Sequence, residues 1–522
     1  MKPTEFSARP AADGHSLPLR LHKTGRFLRF PAGGGETVHL LEILCDGVHW
    51  TELAVAEGEP RFWAALPLPA CSEVTLDGDC PFSFYESVGF ADAPEAPDPA
   101  RPLAHYAPPQ GWCNDPNGLV WENGVFHFYY QYNPCGTAWN NMSWGAARTR
   151  DFLHWDTQPP VLLPDARGSV FSGCALRNER GLLGLPADAL LYFYTAAGQA
   201  YNVPDKKQLW SAGRPFTQNY ACSLDGGASI CRPNDNEIIG GLGCEARDPK
   251  VFWYAPRQWY CMVLFLDGNR FAVLHSRDLR RWEQTQELTL PGSWECPDLF
   301  VLPAPDGSER WVFWSADGYY YLGRFDGERF HTDCTRHLAY RTALPYAAQT
   351  WSGVPGARVI SIPWMRTPDT GAAFTGMYGI PREFSLAAGA DGPVLRMRPA
   401  AELLACARPQ PALADGEART LADEAAVLLH TQLAAPGDVC WEIFGQTVRY
   451  DSVAGTLHLG TQCAYLAPGQ TDFSLLADRG LLEASAGGDT LYAAFAAGWR
   501  CLTGTVRAAG AGAHTELSLL GG

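Results

Sequence analysis

The chain has 522 residues, 46% of them hydrophobic and 12% aromatic, with 40 Lys and Arg against 56 Asp and Glu for a formal net charge of −16. That length exceeds what one hydrophobic core usually organises, so two or three domains are expected. The acidic balance argues against nucleic acid or an anionic membrane as partner, since phosphate binding needs clustered cations, while 18 Trp, 20 Tyr and 25 Phe suit a neutral ligand met by aromatic faces.

In chain order, Met1-Lys2-Pro3-Thr4-Glu5-Phe6 lacks the basic segment and apolar run of a secretory leader. No stretch of about 20 apolar residues follows that could cross a membrane. The expected location is the cytoplasm. The 16 Cys stand singly, with no Cys-x-x-Cys pair or Cys/His cluster of zinc spacing, and read as reduced, mostly buried thiols. The sequon Asn141-Met142-Ser143 is then idle.

Residues 1–95 carry short runs such as Phe27-Leu28-Arg29-Phe30 and Val38-His39-Leu40-Leu41-Glu42-Ile43-Leu44 between Gly and Pro, a small N-terminal β domain. Residues 96–104, rich in Pro, Ala and acids, form a stiff linker. Across 105–398 aromatic runs recur: Phe126-His127-Phe128-Tyr129-Tyr130, Leu191-Tyr192-Phe193-Tyr194, Tyr260-Cys261-Met262-Val263-Leu264-Phe265 and Trp311-Val312-Phe313-Trp314. Their spacing of very roughly 60 residues matches a four-stranded propeller blade with generous loops. Arg150-Asp151-Phe152-Leu153-His154-Trp155 echoes Arg277-Asp278-Leu279-Arg280-Arg281-Trp282, as if one blade turn occurred twice. Residues 399–418 read as a linker with a short helix near Ala400 to Ala405, and 419–522 as alternating strands of a C-terminal β-sandwich. The fold class is all-β.

Three acidic motifs occur in order: Trp112-Cys113-Asn114-Asp115-Pro116-Asn117-Gly118, Arg247-Asp248-Pro249 and Glu295-Cys296-Pro297-Asp298. Glycosidic hydrolysis needs one carboxylate to attack the anomeric carbon and one protonated carboxyl to serve the leaving oxygen. A third carboxylate can hold ring hydroxyls. Taken singly, the first motif is also good turn chemistry, Arg247 and Asp248 could be a structural ion pair, and an aromatic such as Trp139 is as much core material as sugar platform.

The ordered set resembles glycoside hydrolase family 32, the invertase, levanase and inulinase family. Tyr129-Tyr130-Gln131-Tyr132-Asn133-Pro134, Trp139-Asn140-Asn141-Met142-Ser143-Trp144-Gly145, Phe171-Ser172-Gly173, Tyr346-Ala347-Ala348-Gln349-Thr350 and Ile380-Pro381-Arg382-Glu383 are similar to family segments in the same order. Beyond residue 405 the clearest piece is Leu476-Ala477-Asp478-Arg479-Gly480-Leu481-Leu482-Glu483. The resemblance implies a five-bladed β-propeller followed by a β-sandwich, and a retaining β-fructosidase that needs no metal or organic cofactor. It casts Asp115 as nucleophile, Glu295 as acid/base and Asp248 as transition-state stabiliser. Arg247 becomes a fixed cation, and Asn114, Gln131, Trp139, Phe171, Ser172, Cys296 and Tyr346 line the fructose pocket. Burial and the anions Asp115 and Asp248 are expected to raise the Glu295 pKa, with Cys296 helping to tune it.

Two departures bear on substrate choice. Ala146 stands where a His often follows the Trp-Gly pair, and Arg341-Thr342-Ala343-Leu344-Pro345 lacks the Asp or aromatic that commonly precedes the family Tyr. The expected substrates are sucrose and fructo-oligosaccharides, with levan or inulin as longer ones. A fructosyltransferase, an endo-acting fructanase and a non-catalytic fructan-binding protein are the alternatives. The N-terminal module is open to binding glycan, packing on the propeller, or pairing copies into a homo-oligomer.

Overall fold

The aromatic runs become the second strands of successive antiparallel sheets in the computed structural model, which describes residues 18–35, 37–198, 215–243 and 245–521. They lie in Val125–Asn133, Leu190–Ala196, Trp259–Asp267 and Glu309–Trp314. Residues 1–6, on which the leader argument rests, fall outside the described residues. Strands buried on both faces need no polar alternation, which is why these segments read as continuous aromatic and aliphatic runs.

Five sheets follow one another between residues 111 and 399, each built as a four-strand antiparallel run in chain order. Their first strands are Gly111–Glu122, Val170–Arg177, Arg247–Tyr254, Asp298–Pro303 and Pro345–Thr350. The first packs beside the second and the fifth, and the second beside the third. Phe374–Thr375 adds a parallel strand to Gly111–Trp112 at the edge of the first sheet.

The repeated hexapeptide is the same turn twice, joining the third and fourth strands of the first and third sheets. Asp151 Oδ1 accepts the N–H groups of Leu153 and His154 at 3.0 and 2.8 Å, and Asp278 Oδ1 those of Arg280 and Arg281 at 2.9 and 2.8 Å. Phe152 and Leu279 both sit at positive φ, 64° and 62°. Trp155 and Trp282 close the turns by donating from Nε1 to the Phe152 and Leu279 carbonyls at 3.1 and 3.2 Å.

The N-terminal module comprises a four-stranded and a three-stranded sheet, plus a short helix, Phe82–Ser87, that the sequence pattern did not reveal. It packs on the central sheets: its core includes Cys135 and Leu163 beside Leu28, Phe30 and Ile43. Asn141 carries the joint, its side chain accepting from Ala54 N at 2.7 Å and donating to Ala54 O at 2.8 Å. The sequon is therefore occupied by a wholly buried Asn.

Two six-stranded sheets close the chain. The stretch assigned to a linker at 399–418 contains the expected helix, Ala401–Ala405, but its Pro-rich part is the edge strand Arg408–Leu413, with Ala418–Leu421 an edge strand of the other sheet. Proline removes a ladder donor, which an edge tolerates. The 96–104 segment has no strand, yet it is strapped to the C-terminal sheets. Asp478 accepts the N–H groups of Leu103, Ala104 and His105, and Arg479 donates to the carbonyls of Pro99 and Arg101. Behind it lies a solvent-free network: His105 between Asp478 and Glu483, and Glu483 also bonded to Arg382, Tyr492 and the Ile380 N–H. The Leu476 to Glu483 segment thus supplies the acids that lock the C-terminal sheets to the central ones.

Candidate active site

At the starting end of the first strands, the pairing slips. Cys113 opposes Tyr132 while Pro116 opposes Tyr130, so three steps on one strand match two on the other. The same extra residue appears between Val170 and Gly173, Arg247 and Lys250, and Tyr346 and Gln349. Such bulges break the strict side-to-side alternation and re-aim side chains. Asp115, Ser172 and Asp248 lie inside three of them. In the remaining sheet, Glu295 and Cys296 precede the first strand at positive φ, 20° and 47°, and within the bulged strands Asp248 and Ala347 also have positive φ, 64° and 50°. Pro116, Pro249 and Pro297 follow directly. Lacking an N–H, proline leaves no orphan donor at a broken ladder position.

The result is a cluster of three carboxyl groups around one thiol. Cys296 Sγ lies 3.5 Å from Asp115 Oδ2 and 3.6 Å from Asp248 Oδ2, and its backbone N–H donates to Asp248 Oδ2 at 3.1 Å. Ser172 Oγ donates to Asp115 Oδ2 at 2.7 Å. Glu295 accepts on both oxygens, from Tyr346 Oη at 2.7 Å and from Arg247 Nη2 at 2.8 Å. Arg247 is buried, its guanidinium 4.5 Å from the centre of the Phe265 ring and 3.8 Å from Asp248 Oδ2.

Burial and then the charge of Glu295 push the Asp115 carboxyl up to about 6, against the hydrogen bonds of Ser172, Asn114 and Cys296, which hold it down. Asp248 is pushed up to about 7, by burial and by Glu295 and Asp115, in spite of Arg247. Burial and the three acids hold the Cys296 thiol far above its ordinary range, so it is a neutral donor between two carboxylates. Glu295 has the two anions nearby, as the sequence led us to expect, but its direct partners are a cation and a phenol.

The remaining sequence candidates divide. Asn114 is buried beside Asp115, its Oδ1 accepting from Trp112 Nε1 at 3.0 Å. Gln131 is buried and donates to the Val170 carbonyl at 2.9 Å, where the second bulge begins. Trp139 and Phe171 meet edge-on at 6.1 Å, and Phe171 packs on Phe216, making an aromatic wall that also includes Trp112. Sequence reasoning missed Thr195, whose hydroxyl accepts the Asp248 N–H at 3.2 Å, and Trp364, edge-on to both Trp112 and Tyr346. It also missed Lys250, which joins Asp298 and Thr350 in a buried network on the first strands. None of these stands in a pattern that marks it.

Among the described residues, the only group of three acidic, His or Cys ligands with metal-binding separations is Asp151, His154 and Cys406. A cavity of about 520 Å³ opens at the far end of the first strands, lined by Glu122, Arg177, Lys250 and Trp351 among others, and contains none of the three acids.

Residues 105–399 match the family model of the glycosyl hydrolases family 32 N-terminal domain, and the chain belongs to that family. Over 349 residues it is 31% identical to the levanase of Bacillus subtilis, covering 61% of this chain and 49% of that protein. An extracellular exo-inulinase of Aspergillus niger is 32% identical over 327 residues, 54% of this chain and 60% of the relative. The chain thus spans about half to three fifths of the length of these relatives. The solved structure of a glycoside hydrolase family 32 protein from Bifidobacterium adolescentis shares the fold, with a TM-score of 0.67 at 19% identity over 97% of this chain and 99% of that one.

Proposed function

We propose that this chain is a retaining β-fructosidase that releases fructose from the non-reducing end of sucrose, fructo-oligosaccharides or longer fructans. In this reading the five successive sheets are the blades of a five-bladed propeller, and the two six-stranded sheets form a β-sandwich. The observation that carries the proposal is the convergence of three acids from three sheets: Asp115 and Asp248 meet at the Cys296 thiol, and Arg247 ties Asp248 to Glu295. The family relatives named levanase and exo-inulinase support fructosides as the substrate class.

Asp115, ionised and steadied by Ser172, attacks the anomeric carbon while Glu295 delivers a proton to the departing oxygen, leaving a covalent fructosyl-enzyme. Glu295 then takes a proton from water, whose oxygen attacks the same carbon, breaks the ester to Asp115 and frees fructose with retained configuration. Asp115, raised only to about 6, is ionised at neutral pH and free to attack, while burial and the neighbouring acids hold Asp248 higher, at about 7. Asp248 holds ring hydroxyls as charge develops, and Arg247 fixes both neighbouring acids. Trp139 and Phe171 flank the sugar.

Purified protein is incubated with sucrose, kestose, inulin and levan beside Asp115→Asn and Glu295→Gln. Free fructose as the first product, lost in both variants, is expected. Longer oligomers formed at high sucrose would assign transfer instead, shorter oligomers released from polymer would assign endo action, and no product from any fructoside would overturn the enzyme reading in favour of a binding protein.

A further inference from the structure

The sequence presents the cysteines as isolated, and the fold pairs two of them. Cys222 is the penultimate residue of the third strand of the second sheet, Thr217–Ser223, and Cys231 lies nine residues on, before the fourth strand. Their backbones exchange both N–H···O=C bonds at 2.9 Å, a hydrogen-bonded antiparallel pair. Such pairs hold their Cα atoms about 5.5 Å apart, within the span that a disulfide bridges. The two Sγ atoms are 3.3 Å apart.

The position in the fold gives this contact its meaning. In the first and third sheets the equivalent turn is closed by a Trp donating from Nε1 to a carbonyl. The second sheet has no Trp there, and the two thiols occupy the base of its turn. That turn braces the first sheet: Arg148 donates to the Gly227 carbonyl, and a Cβ on Gly227 would come within 2.9 Å of His127. Cys231 is exposed and Cys222 buried, so one thiol can meet a reagent and the other can resolve it.

We propose that Cys222 and Cys231 form a reversible redox site that a low-molecular-weight disulfide such as oxidised glutathione closes into a cross-strand bond. Cys231, as thiolate, attacks one sulfur of the reagent and expels one thiol, giving a mixed disulfide. Cys222 then loses its proton, attacks the Cys231 sulfur and expels the second thiol. Two protein thiols are oxidised and one small disulfide is reduced to two thiols. The bond would cross-link the base of the turn as the Trp hydrogen bond does in the sister sheets.

The full chain is equilibrated with a graded ratio of reduced to oxidised glutathione, then unfolded and alkylated. Proteolysis before Asp225 separates the two cysteines, so a bond between them appears as a linked peptide pair. Expected are two fewer alkylated thiols than the 16 of the reduced chain, a linked 222/231 pair, and reversal by dithiothreitol. Cys231→Ser, a change at an exposed site, should leave Cys222 alkylated with no linked peptide. The proposal is overturned if all thiols alkylate across the series, if Cys231 retains glutathione, or if the linked pair joins other cysteines such as Cys45 and Cys71. None of these readouts depends on turnover.

Discussion

His105 offers a quantitative test of how the C-terminal sheets are held. Its side chain has no solvent exposure, with Nδ1 2.9 Å from Asp478 Oδ2 and Nε2 3.0 Å from Glu483 Oε1. Both ring nitrogens face carboxylate oxygens, so only the imidazolium can donate to each. Burial alone would lower its pKa; the hydrogen bonds and charges of Asp478 and Glu483 prevail and raise it from 6.5 to about 9. The folded value lies above the unfolded one, so the stabilisation is complete below pH 6.5 and is lost as pH rises through 9. That difference corresponds to about 3 kcal/mol. His105→Gln should destabilise the chain by about 3–5 kcal/mol at pH 6, because the buried Asp478 loses its cation and Glu483 is left with Arg382 as its only one. Urea unfolding followed by Trp fluorescence at pH 6 and 9.5, compared between parent and variant, cancels the other titrating groups. The parent's advantage should shrink by about 3 kcal/mol at the higher pH. An advantage equal at both pH values would refute a charged His105.

The carboxyl cluster yields three further expectations and the Lys250 network a fourth. Asp115→Asn should abolish turnover yet stabilise the fold by up to about 3 kcal/mol at pH 7, since a carboxyl raised from 3.8 to about 6 contributes stability below pH 3.8 that is lost as pH rises through 6. Melting temperatures that match the parent at pH 7 would contradict this. Ser172→Ala removes a donor that holds Asp115 down, so the acid limb of kcat/KM, expected near pH 6, should move upward; a limb that stays or falls would disprove the assignment. Tyr346→Phe deletes the 2.7 Å donor to Glu295, and kcat should drop about tenfold with KM little changed. Lys250→Met strands the buried Asp298 carboxylate and should cost about 3–5 kcal/mol in denaturant unfolding, most of it recovered on adding Asp298→Leu.

What the sequence made legible follows from the range of the interactions. The aromatic second strands stood out because burial on both faces imposes a continuous apolar run, and the repeated turn because Asp151 and Asp278 act within three residues of themselves. Pro409 and Pro411 misled, because proline on an edge strand has the composition of a linker. His105 could not have been read at all: its partners lie 373 and 378 residues away. The three acids were legible from their flanking proline and asparagine, whereas Ser172 and Tyr346 entered only through family resemblance. Lys250 and Thr195 gave no signal, since a buried Lys and a strand Thr look ordinary until the sheets assemble. The cysteines were counted along the chain, and spacing along a chain does not show which strands become neighbours.

The bulges explain why acids distant in sequence act as one site. In an unbroken strand successive side chains alternate between faces, so Asp115 and Asn114 would point apart and no two adjacent residues could serve one pocket. Inserting a residue at the same level of four first strands turns Asp115, Ser172, Asp248 and the Tyr346 region toward a common point, and the positive φ of Glu295 and Cys296 does so for the fourth sheet. Non-glycine residues in that region cost of order 1 kcal/mol or more each and persist only where surrounding structure over-determines them. Here the over-determination is visible: Asp248 is tied by its N–H to Thr195 and by its carboxylate to the Cys296 N–H, and Glu295 is tied by both oxygens. The strained backbone and the carboxyl groups raised by burial therefore share one cause, a rigid set of converging strand ends that forces polar groups together where neither solvent nor relaxation can separate them.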